Sequence, residues 1–134
     1  MRIVVDANVI VQACIEQNGL GRLRNHELTA PPIMASETVS TLRELAFRGE
    51  LTAELAKVAM DRFQAMQFET LAPERLWSTA WNVAESLGSA KTYDAEYVAL
   101  AQITDCALVT LDARLARGAA RVVRVLGVAE LPVS

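Results

Sequence analysis

The chain reads as an α/β domain: a mostly parallel central sheet of about five strands with helices on both faces, three layers in all. Two observations carry this. Short apolar runs, at residues 3–5, 28–30 and 107–110, alternate with longer stretches in which apolar residues recur at helical spacing. Glycine, proline or Asn-Gly punctuates the boundaries between them. Strands separated by helices pair in parallel through crossovers, and each face of such a sheet must be covered.

The elements follow in order. Ile3, Val4 and Val5 form a short β-branched strand, and Val9, Ile10, Ala13 and Cys14 then mark a helix ending by Asn18-Gly19. A second strand at 28–30 stops at Pro31-Pro32, and a helix at 33–47 runs up to Gly49. Thr52 caps a helix carrying Leu55, Val58, Ala59, Phe63 and Met66, followed by a third strand at 68–71. Pro73 suits the first turn of the next helix, whose apolar positions include Leu76, Trp77, Ala80, Val83, Ala84 and Leu87 before Gly88. Tyr97, Val98, Ala101 and Gln102 lie on a helix opened by Asp94, and strands at 107–110 and 122–126 complete the pattern.

Composition bounds the rest. At 134 residues, 52% hydrophobic and 22% charged, the chain is expected to form one domain over 1–134 rather than a disordered segment. No apolar run approaches a membrane span, and Asp6 interrupts the only N-terminal apolar stretch, so a cytoplasmic protein is expected. Cys14 and Cys106 have no metal-type spacing and read as small buried residues. His26 is the only histidine, which removes zinc sites of Cys/His type and Ser-His-Asp chemistry. A net charge of −3 argues against simple coating of nucleic acid, although Arg114, Arg117, Arg121 and Arg124 follow one another closely.

Four acids stand out. Asp6 and Asp112 follow the strands at 3–5 and 107–110, Asp94 opens a helix, and Glu37 lies early in another. Residues just beyond the carboxyl ends of parallel strands line one crevice. Carboxylates gathered there repel unless a cation or protons neutralise them, and an all-oxygen pocket suits Mg²⁺ or Mn²⁺. Taken singly, Asp6, Asp94 and Asp112 are each accounted for as helix caps, worth ~1 kcal/mol. Glu37 is accounted for as part of a solvated helical face, with Glu44 two turns on. Two acids that each follow a strand and lead into a helix are what a strand-end metal site requires.

Four blocks carry a resemblance: Val4-Val5-Asp6-Ala7-Asn8-Val9, Pro32-Ile33-Met34-Ala35-Ser36-Glu37-Thr38-Val39, Tyr93-Asp94-Ala95-Glu96-Tyr97-Val98-Ala99-Leu100-Ala101 and Leu108-Val109-Thr110-Leu111-Asp112. In this order and at this spacing they resemble PIN-domain ribonucleases, and more narrowly the VapC-type toxins of bacterial toxin–antitoxin pairs. The resemblance implies a PIN-like fold and an acidic quartet of Asp6, Glu37, Asp94 and Asp112. It prefers Glu37 to Glu44, and it gives Thr110 and Asn8 supporting roles. The chain departs from the pattern where relatives carry Ser or Thr and it has Asn8, and where they carry Gly and it has Asp105-Cys106.

The resemblance implies an endoribonuclease using Mg²⁺ or Mn²⁺ held by Asp6, Asp94, Asp112 and Glu37, with the metal activating a water. Arg114, Arg117, Arg121 and Lys91 are candidates to hold RNA, with Arg22, Arg24 and Arg124 behind them and Tyr93 as a stacking residue. Expected partners are RNA, a cognate antitoxin and a second copy in a homodimer. The helices around 9–15 and 55–63 are the candidate groove or dimer face, with the core as the ordinary alternative. Two other readings remain at this point. One is a PIN fold that binds without turnover. The other is a receiver-like phospho-acceptor domain, which fits poorly because Asp6 stands alone and Lys91 is the last lysine.

Overall fold

A computed structural model describes residues 1–132. Five strands, β1 (Arg2–Val5), β2 (Glu27–Ala30), β3 (Glu69–Thr70), β4 (Ala107–Val109) and β5 (Val125–Leu126), form one sheet in the order β3-β2-β1-β4-β5. Every neighbouring pair runs parallel. The helices are α1 (Ala7–Ile15), α2 (Ile33–Phe47), α3 (Ala53–Ala65), α4 (Leu76–Leu87), α5 (Tyr93–Thr104) and α6 (Ala113–Ala119). Helices α1, α2 and α3 pack on one another, while α4 packs on α5, which in turn lies on β1 and β4. The expected layered, parallel architecture is the one observed.

The central strands are apolar on both faces because both faces are covered. Ile3, Val4, Val5, Leu108 and Val109 have no exposed surface, and full burial of such side chains contributes about 1.5–3 kcal/mol each. Thr29 is the polar exception in β2, and its hydroxyl donates to the Ile3 carbonyl at 2.8 Å. The edge strands are shorter than the sequence suggests. β3 keeps Glu69 and Thr70, with Leu71 N–H still donating to the Ala30 carbonyl. At the other edge Val122 and Val123 close a turn against the Ala119 carbonyl, so they are not available to β5.

Stop signals act largely as expected. Thr52 accepts the Leu55 N–H at 3.1 Å, and Gly49 and Gly88 take positive φ at the ends of α2 and α4. Pro73 differs: it precedes α4, and its carbonyl accepts the Leu76 N–H. Helix α1 ends at Ile15, earlier than the Asn18-Gly19 signal, and Arg62 of α3 reaches its last carbonyls. Its guanidinium donates to the Cys14 oxygen at 2.8 Å and the Glu16 oxygen at 3.1 Å. Gly19 then passes so close to the Ala13 backbone that a Cβ would meet it at 2.5–2.9 Å.

The apolar side of α1 is spent on the core: Val9, Ile10, Ala13 and Cys14 are buried against α2 and α3. Large apolar groups at the surface lie elsewhere, including Trp77 and Trp81 one turn apart on α4. Trp77 was expected on the packed face of that helix, but Leu76, Ala80, Val83 and Ala84 occupy it. Cys14 is buried, its thiol pushed up to about 11 by desolvation, and Cys106 is half-buried.

Replacing Arg62 with Met keeps much of the stem but leaves the α1 carbonyls without their charged donor. The expected loss is about 2 kcal/mol of unfolding free energy, read from urea denaturation with the slope unchanged.

Candidate active site

Strand order reverses between β1 and β4, since β2 and β3 lie to one side of β1 and β4 and β5 to the other. That is the switch point at which open parallel sheets form a crevice beyond their carboxyl ends. Asp6 is the residue after β1, and Thr110 follows β4 directly. The Asp6 N–H continues the ladder by donating to the Val109 carbonyl at 3.0 Å. Asp6 is therefore carried into the crevice by strand pairing itself.

A short polar network fixes this floor. The Thr110 hydroxyl donates to Asp6 Oδ2 at 2.8 Å and accepts the Asp112 N–H at 3.1 Å. Asn8 Oδ1 accepts the Leu111 N–H at 3.2 Å, tying the segment after β4 to α1. Thr110 thus bonds Asp6 directly, while Asn8 bonds backbone rather than an acid. Asp6 occupies the N-cap position of α1 without capping it by its side chain. Asp112 does cap: its Oδ1 accepts the N–H groups of Arg114 and Leu115 at 3.0 and 3.1 Å. Asp94 lies inside the first turn of α5, where Thr92 holds the cap position. The capping explanation therefore holds for Asp112 alone.

Asp6, Asn8, Thr41, Glu37 and Asp94 border one depression. Glu37, Asp94 and Asp112 border an adjoining cleft together with Lys91, Tyr93 and Arg114. Glu37 and Asp94 belong to both, so the four acids surround a single opening drawn from four elements. Arg117 is exposed in the last turn of α6 and borders neither hollow. Arg121 borders a separate hollow with Thr79 and Gln102, and Arg124 lies at the opposite end of the sheet beside Met1 and Arg2. Arg22 donates to the carbonyls of Ala129 and Leu131, and Arg24 lines an apolar hollow with Leu28 and Phe68. That hollow is larger than the acidic cleft but holds none of the four acids.

Electrostatics mark the acids as a group. Asp6 is 5% exposed, and burial pushes its carboxyl up to about 6, with the charges of Asp94 and Glu37 adding to the effect. The Thr110 hydrogen bond works against the rise. Glu37 is raised by burial and by Asp94, while the hydrogen bond from Tyr97 lowers it. Asp94 is raised by desolvation and by Asp112, but its residue is solvent-exposed, so screening weakens the effect there.

Among the described residues, no three of these side chains stand in position to enclose a cation as they are. The donor chemistry nevertheless fits a hard divalent ion: every group is a carboxylate oxygen, and the deepest of them is held at a cost as an anion.

Two further residues border the acids, Tyr97 and Glu96, neither of which the sequence assigns a role there. Tyr97 is wholly buried on α5, and its hydroxyl donates to Glu37 Oε1 at 2.5 Å. Its signal was present: it lies three residues after Asp94, on the same helical face. Glu96 is 6% exposed, and its carboxyl is raised by burial and by Glu37. No spacing distinguished it from an ordinary first-turn acid.

Carboxylates around the switch point of a parallel sheet define an acid-cluster α/β domain. The chain belongs to the PIN-domain family, whose model matches residues 3–121. It is 35% identical over 114 residues to ribonuclease VapC9 of Mycobacterium tuberculosis and to VapC ribonuclease Mb0985 of Mycobacterium bovis, covering 84% of this chain and 87% of each relative. Among solved structures, PAE2754 from Pyrobaculum aerophilum superposes with a TM-score of 0.74 at 21% identity, covering 98% of this chain and 86% of that one. VapBC2 from Rickettsia felis, bound to a DNA fragment from its promoter, gives 0.65 at 14% identity over 95% of this chain and 98% of that one. These structural likenesses show the shared fold.

The raised carboxyl of Asp6 sets a pH dependence for the metal-free protein. Its folded value exceeds its unfolded value, so the native state binds the extra proton between them. Stability is then fullest below the unfolded value of 3.8 and falls as pH rises through about 6. The loss assigned to Asp6 is ~3 kcal/mol. Urea titrations in EDTA should show this fall between about pH 4 and about pH 8, and Asp6→Asn should flatten it. A stability that climbs across the same range would contradict the assignment.

Proposed function

We propose that this protein is the toxin of a toxin–antitoxin pair and cuts RNA at internal phosphodiester bonds, with Mg²⁺ or Mn²⁺ held by Asp6, Asp94, Asp112 and Glu37. The observation that carries this reading is the gathering of four carboxylates from four elements at one strand-end opening. The VapC relatives, ribonucleases by name, support the same activity here.

A divalent ion in such a set supplies Lewis-acid activation of water and stabilises charge developing on a phosphodiester. The chain's own residues do the rest. Thr110 holds the Asp6 carboxylate in one orientation, and the cap made by Asp112 fixes its Oδ1 toward the α6 amides. That leaves Oδ2 of Asp112 as the oxygen available to a ligand. Lys91 and Arg114 flank the acids and hold the RNA backbone, offsetting repulsion between phosphate and carboxylate. Tyr93, 48% exposed beside them, stacks on an unpaired base.

The cognate partner is an antitoxin protein, a reading supported by the VapC relatives and by the fold shared with VapBC2. A homodimer, action in the cytoplasm and a single domain over 1–134 belong to the same proposal. No helix among the described residues is long and apolar enough to cross a membrane.

Purified, antitoxin-free protein should cleave a structured RNA pool in Mg²⁺ or Mn²⁺, and cleavage should vanish in EDTA and in Asp94→Asn. Folded protein that binds RNA but never cuts it would favour a binding module instead. Alanine at Lys91 and at Arg114 should raise KM with kcat little changed, and should lower the salt dependence of binding by about one counterion each. Equal salt dependence in variant and parent would remove both residues from the RNA path.

A further inference from the structure

Glu37 stands apart from the other acids in how it is held. Asp6 is fixed by Thr110 and Asp112 by backbone amides, whereas Glu37 sits on α2 and receives its hydrogen bond from α5. The donor, Tyr97, lies one helical turn beyond Asp94, so a single helix carries one acid of the cleft and the support of another. The Tyr97 ring has no exposed surface and its position is set by packing, which fixes where the hydroxyl can be. At 2.5 Å the bond has the length of a hydroxyl donating to an ionised carboxylate, among the stronger hydrogen bonds in proteins.

We propose that Tyr97 is a positioning residue for the cleavage reaction: its hydroxyl occupies Oε1 of Glu37 and thereby sets the direction in which Oε2 meets the divalent ion or the attacking water. The inference rests on the nuclease reading of this site. A glutamate has three side-chain torsions, and one at the end of α2's first turns samples several rotamers unless something selects among them. Anchoring one oxygen to a buried ring selects one. Partners that orient ligands in this way are worth about 10- to 100-fold in metal affinity or activity when removed. Packing alone would be served equally by phenylalanine, which keeps the ring and drops only the O–H.

The test is a double-mutant cycle of Tyr97→Phe, Glu37→Ala and the two together, read by steady-state RNA cleavage and by Mn²⁺ affinity from electron paramagnetic resonance. In the parent background Tyr97→Phe should lower kcat at least tenfold with KM nearly unchanged, and should weaken Mn²⁺ binding in parallel. In the Glu37→Ala background, where no side-chain oxygen remains for the hydroxyl to hold, the same change should alter neither quantity. Equal losses in both backgrounds would mean that the hydroxyl serves the fold, and no loss in either would mean that it positions nothing; each overturns the proposal. Parent protein that binds Mn²⁺ but cuts no RNA would sink the nuclease reading, while the Mn²⁺ cycle would still decide Tyr97. Parent protein that binds no Mn²⁺ would sink both.

Discussion

Burial of the Asp6 carboxylate where β1 meets β4 is the constraint that shapes the site. A strand pair at the middle of a parallel sheet offers no solvent to an anion, and here the ladder carries Asp6 into that place. Desolvation is the largest influence on its carboxyl, and the neighbouring acids make matters worse. The protein offsets part of this with one hydroxyl, from Thr110. A carboxylate kept at such cost is the signature of a site that trades stability for function.

The surrounding structure can be read as the means of keeping that arrangement rigid. Strands β1 and β4 are buried on both faces, so neither can shift without exposing Ile3, Val5, Leu108 or Val109. Helix α5 lies directly on both strands and presents Asp94 at its start and Tyr97 one turn later. Helix α2 brings Glu37 from the other helical group. The two groups meet at the Tyr97–Glu37 bond, a side-chain contact between residues 60 apart in sequence. Long-range bonds of this kind convert separate elements into one geometry.

Much of this was legible in the chain. Strand ends followed by acids pointed to the crevice, because position after a parallel strand is a geometric statement as well as a sequence one. Thr110 and Asn8 entered through the family resemblance; Thr110 bonds Asp6, and Asn8 bonds the Leu111 backbone. Asp105 is instructive too: it adopts φ of 55° at the end of α5, a left-handed conformation that glycine takes most readily and that aspartate tolerates. What stayed hidden depended on pairs distant in sequence. The carbonyls at the end of α1 are met by Arg62 from α3, and the exposure of Trp77 depended on which stripe of α4 met α5. Tyr97 looked like a core aromatic, and it is one; its hydroxyl's partner lies on another helix, beyond the reach of periodicity.

The central proposal is that these four carboxylates hold divalent metal. A crystal structure of the antitoxin-free protein grown with Mn²⁺, with anomalous data to locate the metal, tests it most directly. The account places Mn²⁺ in the opening, with oxygens of Asp6 and Asp94 as ligands, Asp112 or Glu37 within reach directly or through water, and the Thr110 and Tyr97 bonds retained. Fully occupied Mn²⁺ elsewhere, or an opening without metal while Glu37 and Asp94 stay apart at saturating Mn²⁺, would contradict it.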